Sequence, residues 1–452
     1  MKIEIIKVND LTIHEHHLDI QYSADKFRFS TKIFYHDVSF SILISKYSKT
    51  IIDQIAAHVA FFEGMKICSL FPQYYDISIL AENLSSSALD IFYQVYSGVF
   101  AQHWYENQII DYPGPQIIFP GQTLGKSQPA EVLEANPTVL IGCGGGKDSV
   151  LAMKILQEAK IPFASMQYAH SVYGKAENQH DLIAEVLEYV EPVRKHQISI
   201  YDDFARYPLM PLYFPGNSGI TVPETPVSVF ESLFLALYWG YSYLSLAHEK
   251  SANSGNLYWS EINYKVNHQW GKSFDAEKLI NHFIQENLIS NFSYFSILQP
   301  IYDFRIFRSL TRYPEILYKI HSCNVQKPWC KKCAKCAYVW LGLMAVFPPE
   351  QVNSIFQVNL FDDSDLLHIF KQMLGLTEHT PFECIGEVDE SRLNMKKCWD
   401  KGLSGQVLDL FKTEILENQS IDWSEIEQKY DRIYEAEHSV PDWIFEQIKI
   451  YL

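Results

Sequence analysis

Thr138-Val139-Leu140-Ile141-Gly142-Cys143-Gly144-Gly145-Gly146-Lys147-Asp148-Ser149 is the stretch on which the fold turns. Its first four residues are a short apolar run, the pattern of a strand buried in a parallel sheet. From Ser149 onward, Val150, Leu151, Ile155 and Leu156 recur at one-face helical spacing, so a helix follows. Three glycines stand between strand and helix. Glycine lets the backbone bend closely around an oxyanion, and the unpaired N–H groups of the coming helix point at it. Lys147 brings positive charge, Ser149 a hydroxyl, and Asp148 a carboxylate able to hold Mg²⁺ beside a phosphate. Gly144, Gly145, Gly146, Lys147, Asp148 and Ser149 are therefore expected to form a nucleotide-phosphate loop.

It is not a Walker A loop, because Asp148 stands where that pattern needs Ser or Thr after the Lys. The stretch Gly121-Gln122-Thr123-Leu124-Gly125-Lys126-Ser127 fails too, since Pro120 occupies a required glycine position, and it reads as a linker turn. A ligand-free turn is the plainer reading of Gly144–Gly146, but Lys, Asp and Ser all sit where a phosphate would want them. Their order resembles the PP-loop signature Ser-Gly-Gly-x-Asp-Ser, with Gly144 replacing the first Ser. That resemblance implies an adenine nucleotide alpha hydrolase-like fold. It also implies ATP split between its α- and β-phosphates, an adenylated substrate, and release of pyrophosphate.

A chain of 452 residues, 47% hydrophobic and 14% aromatic, has room for two or three packed domains and is not disordered. Its net charge of −17 is spread along the chain, which disfavours a nucleic-acid surface. The start, MKIEIIKVND, lacks the apolar core of a signal peptide. The longest apolar stretch, Val227 to Leu246, is broken by Glu231, Ser232 and Gly240, and reads as a buried helix running into a strand. A cytoplasmic protein with no nucleic-acid or membrane partner is expected, in which eight Cys need not form disulfides. The oligomeric state leaves no trace in the sequence.

Residues 1–130 read as an α+β domain. Alternating runs such as Lys26 to Phe34 predict an antiparallel sheet, and a helix is expected over Ile51 to Glu63. His14-Glu15-His16-His17 lacks the gap of a helical zinc motif and reads as a solvated strand end. The Gly- and Pro-rich stretch Gly121 to Pro137 marks a boundary. From 137 to 345 strands and helices alternate: strand at Phe163–Gln167, helix at Asp181–Tyr189, strand at His196–Ile200, helix at Val227–Trp239, strand at Tyr243–Ala247. That alternation predicts an open, mostly parallel α/β sheet with ligands at the carboxyl ends of its strands. Residues 346–452 read as a mostly helical region, interrupted by Pro381-Phe382-Glu383-Cys384-Ile385-Gly386.

Cys330, Cys333 and Cys336 stand at two-residue gaps, with Cys323 close upstream, a set able to close a thiolate shell around a metal. Lys327, Lys331, Lys332 and Lys335 would offset its negative charge. Uncoordinated thiols and an iron–sulfur cluster are the alternatives. Nothing else in the chain suggests redox chemistry, so structural Zn²⁺ is preferred. The arrangement is similar to the zinc site of PP-loop enzymes that make 7-cyano-7-deazaguanine.

Two polar clusters follow apolar segments. His248, Glu249, Lys250, Ser251 and Asn253 come directly after an apolar strand, at the ligand-facing edge or as loop caps. Asn267, His268, Lys272 and Ser273 could grip a carboxylate or phosphate. Leu246–Asn253, Val266–Ser273, Ser322–Cys336 and Pro381–Gly386, taken with the glycine loop in this order, resemble the ATP-dependent UDP-N-acetylmuramoyl-L-alanyl-L-glutamate epimerases over roughly residues 137 to 395.

The resemblance implies an isomerase of peptidoglycan biosynthesis that uses ATP and Mg²⁺ and keeps a structural Zn²⁺. Its small-molecule nucleotide-sugar peptide would have its terminal L-Glu adenylated, inverted at Cα and released as D-Glu with AMP and pyrophosphate. Lys147 and Asp148 would serve the phosphates and Mg²⁺. Lys250, Ser251, Asn253, Asn267, His268, Lys272 and Ser273 would hold substrate. Cys384, Glu383, His248 and His268, with Glu249 beside them, are the candidate acids and bases. A PP-loop ligase or sulfur-transfer enzyme acting on a nucleobase or tRNA is the alternative reading.

Overall fold

The apolar run before the glycines lies in a long sheet assembled from both halves of the chain. Strands β1 (Ile5–Ile13), β2 (His17–Ala24), β3 (Phe27–Tyr35), β4 (Tyr74–Asp76) and β5 (Gln116–Ile118) come from the N-terminal segment. Strands β6 (Asn136–Cys143), β7 (Phe163–His170), β8 (Arg194–Asp202), β9 (Tyr241–Leu246), β10 (Leu257–Trp259), β11 (Tyr264–Val266) and β12 (Ser293–Ser296) follow. The structure is a computed structural model and describes residues 3–452 except 123, 126, 127, 205, 206, 208 and 214–218. Thr123, Lys126 and Ser127 of the expected linker turn therefore lie outside the described residues.

Among the described residues one sheet of ten strands runs in the order β12-β9-β6-β7-β8-β3-β2-β1-β4-β5. The five strands from β12 to β8 are parallel, as the strand–helix alternation predicts. β1, β2 and β3 are antiparallel, as the alternating runs predict. The helix expected over Ile51 to Glu63 spans Lys49–Glu63. His14, Glu15 and His16 are exposed at the turn between β1 and β2. After β12 the described chain forms helices and irregular segments, including Ala334–Val346, Val388–Asp400 and Asp442–Ile448. No helix among the described residues is long and apolar enough to cross a membrane.

β3 pairs antiparallel with β8, with Thr31 opposite Asp202 and Tyr35 opposite Ile198, so the sheet crosses the expected boundary at 121–137. Pairing removes the open edge that β8 would otherwise present. A buried ammonium fastens the seam. Lys66 Nζ donates to Thr31 Oγ1 on β3 at 2.9 Å, and pairs with Glu63 at 2.7 Å and with Asp202 on β8 at 3.0 Å. All three ionic groups are out of water. Nearby Glu231 is buried as well, and burial pushes its carboxyl well above the ordinary carboxylate range.

Two neighbouring loops leave the carboxyl end of this parallel half. β6 lies between β9 and β7, with Ile141 opposite Ser245 and Ser165, so the glycine loop and the loop after β9 leave the sheet side by side. Beneath the glycine loop, Val150, Leu151, Ile155 and Leu156 of the helix Lys147–Glu158 are fully buried in a core that includes Phe307 and Trp340.

Removing one partner of a buried ion set leaves an uncompensated charge, so Lys66→Ala is expected to cost about 3–5 kcal/mol. Thermal and urea unfolding measure it. Neutralising the partners in the same chain (Glu63→Gln, Asp202→Asn) should recover most of the loss.

Candidate active site

Gly146 caps the helix Lys147–Glu158, and Gly145 turns the chain into it with φ of 78°, a left-handed conformation that favours glycine. A Cβ at Gly145 would lie 2.2 Å from His321 Nε2, so a second constraint also requires glycine here. Nothing lies within 4 Å of the corresponding point at Gly144. Asp148 is half-buried and lines a cavity at the loop. Ser149 Oγ donates to Gly146 O at 3.1 Å, closing the loop on itself.

Lys147 is turned inward. Its ammonium is buried between Asp148 and Asp303, 5.0 Å from the centre of the Phe307 ring. Burial works against the charge, but Asp148, Asp303 and Glu249 together hold the group well above the ordinary lysine value. The phosphate-facing role expected of Lys147 is thus not visible in its contacts, because a carboxylate on another helix holds the cation.

Two adjoining cavities open in front of the loop. One of about 500 Å³ is lined by Tyr173, Glu224, His268, Lys272, Glu383 and Cys384. Another of about 280 Å³ includes Gly144, Asp148, His248, Ser322 and Lys335. Lys272, His321, Lys327 and Cys384 line both.

Cys384 is the chemical centre of this cleft. Lys272 Nζ lies 3.0 Å from its Sγ. Cys384, His268 and Glu383 each bring one polar atom within 4.8 Å of the others. Burial alone would raise the thiol, but Lys272 and then His268 hold it down at about 6. The His268 imidazole is in turn pushed up: burial opposes this, and Cys384 and Glu383 override it. Each group thus favours the charged form of the other, thiolate beside imidazolium. Gln102 Oε1 accepts from His268 Nδ1 at 2.6 Å and fixes the ring. Glu383 Oε1 accepts from the Cys384 amide at 2.9 Å and from Asn324 Nδ2 at 3.0 Å, and Lys335 donates to the Cys384 carbonyl.

The loop after β9 divides its residues between the cleft and the interior. His248 lines the cavity; burial and then Lys272 hold its imidazole well below the usual value, so it is neutral. Glu249 packs inward near Lys147. Burial, then Asp303 and Asp148, raise its carboxyl to about 7. Lys250 pairs with Glu437 and lies over the Tyr434 ring at 4.3 Å, away from the cleft. Ser251 Oγ accepts from the Asp303 amide at 3.1 Å.

The other expected substrate residues brace the loops. Asn253 donates to Gln299 Oε1 at 2.7 Å and accepts from the Phe274 amide at 2.7 Å. Asn267 donates to Ala252 O at 2.9 Å and accepts from the Gln269 amide at 2.8 Å. Ser273 caps the helix Phe274–Asn287 through the Ala276 amide. Of that list, His268 and Lys272 reach the cleft. Sequence reasoning missed Glu224, Tyr173 and His321, which lie outside its motifs. Tyr173 Oη donates to Glu224 Oε2 at 2.7 Å, and desolvation raises the Glu224 carboxyl.

The cysteines Cys323, Cys330, Cys333 and Cys336 converge, with all four sulfurs within 4.8 Å of one another. Cys323 Sγ lies 3.8 Å from Cys333 Sγ, and Cys330 Sγ lies 3.8 Å from Cys336 Sγ. A tetrahedron with Zn–S arms of about 2.3 Å has edges of about 3.8 Å, so the thiols fit Zn²⁺. Amides of Val325, Gln326 and Cys330 point at Cys323 Sγ, as suits a thiolate. This knuckle carries Asn324, Lys327 and Lys335 to the cleft.

Residues 4–297 match the MurL N-terminal domain, which includes the glycine loop, and residues 316–424 match the MurL C-terminal domain, which includes the cysteines and Cys384. The chain belongs to the MurL family. It is similar to the UDP-N-acetyl-alpha-D-muramoyl-L-alanyl-L-glutamate epimerase of Micromonospora sp., with 27% identity over 327 residues, 69% of this chain and 68% of that protein. The proteins of the same name from Salinispora tropica and Xanthomonas oryzae pv. oryzae are 26% and 25% identical, again over 69% of this chain and over 66% and 67% of theirs. The MurL match spans both the glycine loop and the Cys384 pocket, the two halves of the cleft.

Alkylation by iodoacetamide should report the Cys384 thiolate. Its rate is expected to rise through a midpoint near pH 6 and flatten above it, since a lowered thiol value means thiolate above that pH. Lys272→Met should move that midpoint upward; an unchanged midpoint would show that Lys272 does not set it. Metal analysis should find about one Zn²⁺ per chain. Chelation should release it and lower the thermal midpoint.

Proposed function

We propose that the chain is an ATP-dependent epimerase that inverts the terminal L-Glu of UDP-MurNAc-L-Ala-L-Glu. The observation that carries the reading is the placing of Lys272 Nζ 3.0 Å from Cys384 Sγ, with His268 beside them, in a cleft shared with the glycine loop. The MurL family and the names of its relatives supply the substrate.

A Cα proton beside a free carboxylate is a very weak acid, because its removal would add charge to an anion. Attack of the carboxylate on the α-phosphorus of ATP expels pyrophosphate and gives an acyl adenylate without that carboxylate charge. Its carbonyl can then accept the developing carbanion. Backbone amides of Gly145, Gly146 and Lys147 would receive the phosphates at the helix start. Asp148, on the cavity wall, would hold Mg²⁺, which neutralises phosphate charge when bound. Lys272, and Lys327 across the cleft, would draw in the carboxylate.

Cys384 then takes the Cα proton as thiolate, with Lys272 and His268 keeping it ionised until substrate arrives. A proton is returned to the opposite face; of the two histidines in the cleft, His268 is the candidate source, since neutral His248 has no acidic proton to give. Water cleaves the anhydride, releasing D-Glu-terminated product and AMP. The Cys₄ knuckle acts structurally, holding Asn324, Lys327 and Lys335 in place.

Incubation with ATP and substrate in D₂O should release AMP and pyrophosphate and place deuterium at Cα of the terminal Glu. Cys384→Ala should slow inversion by about 10²–10⁴-fold while leaving ATP–pyrophosphate exchange largely intact. A cysteine outside the Cys₄ cluster also suits a sulfur carrier. Thiolated product with no deuterium would replace the epimerase with that alternative.

A further inference from the structure

The two side chains that the glycine loop offers to a phosphate are both engaged elsewhere. Lys147 is held by Asp148 and Asp303, and Ser149 Oγ by the Gly146 carbonyl. Gly144 contributes no side chain, and the space beside it is empty. Among the described residues, His321 beside the loop has hydrogen-bonding capacity to spare. His321 is 2% exposed and lines both cavities; the Leu182 carbonyl lies by its ring, but neither ring nitrogen makes a well-formed hydrogen bond. Buried polar atoms without partners are rare in folded proteins and call for an explanation.

The backbone of His321 is also tied to the loop. The His321 amide donates to Gly145 O at 3.0 Å, and Nε2 occupies the space where a Cβ on Gly145 would point. An oxyanion resting on the helix start would therefore come within reach of the imidazole.

We propose that His321 is the side-chain hydrogen-bond donor to the phosphate oxygens seated on the glycine loop, in the place that Lys147 and Ser149 leave vacant. The inference rests on the reading of the loop as an ATP site. It gives the segment before Cys323 a binding role separate from metal ligation.

Calorimetric titration of the full, zinc-loaded chain with inorganic pyrophosphate and Mg²⁺, and with α,β-methylene-ATP, tests it. His321→Ala should weaken both by about tenfold or more, as loss of a hydrogen bond to a charged group does. His321→Gln, which keeps an N–H, should retain most of the affinity. The thermal midpoint, zinc content and Cys384 alkylation midpoint should stay at wild-type values. Wild-type affinity in His321→Ala overturns this inference alone, and so does an equal loss in both variants with a lowered thermal midpoint. A wild-type chain that binds neither probe overturns the ATP reading and this inference with it.

Discussion

A charge in a dry interior must be matched by partners with good geometry, and Lys147 imposes that demand on everything around the cleft. Its ammonium draws Asp303 against the start of the glycine-loop helix. The Asp303 amide is held by Ser251, which fixes the chain leaving β9. The next amide, Phe304, donates to Glu390 Oε1 at 3.0 Å, and Glu390 Oε2 accepts from the Glu387 amide at the head of the helix Val388–Asp400. One buried cation thus ties together the glycine loop, the β9 loop, the helix Asp303–Leu310 and the segment that follows Cys384. The same concentration of carboxylates has a second effect. Glu249 is raised to about 7 and Glu390 to about 8, by burial and then by Asp303, so protons do part of the neutralising there.

Because Lys147 is committed to this knot, the cations that face the cleft come from elsewhere. Lys272 is delivered by the short turn Trp270–Lys272 after β11, and Lys327 and Lys335 by the cysteine knuckle. Cys384 comes from the loop before the helix Val388–Asp400. The thiolate exists only where these meet, since burial alone would keep Cys384 protonated. A change that loosens the knuckle should therefore reach the thiol without touching it, through the bond from Lys335 to the Cys384 carbonyl.

The parallel half of the sheet and the cysteine cluster were legible because each is a local pattern: an apolar run opening into glycines, and thiols at fixed gaps. His248, His268, Lys272 and Cys384 line one cleft, a grouping that the sequence offered only through the family resemblance. The β3–β8 pairing was not legible, because strand alternation tells which face is buried and not which partner lies alongside. The inward turn of Lys147 depends on Asp303, a residue 156 positions away, and no motif joins them. Asn253, Asn267 and Ser273 look like ligand residues in sequence because polar side chains after a strand serve equally well to cap loops and to bind substrate. Which of the two they do is decided by whether a backbone partner is already within reach, and that is a tertiary fact.

The acidic character of the whole chain and the cationic cleft answer different questions. Fields from exposed charges fade over about 8 Å at physiological salt, so a net charge of −17 repels a long polyanion along the surface while acting weakly inside a walled cavity. Within the cleft, Lys272, Lys327, Lys335 and His268 line a few hundred cubic ångströms together with Glu224, Glu383 and Asp148. The thiolate form of Cys384 depends on those same cations remaining beside it.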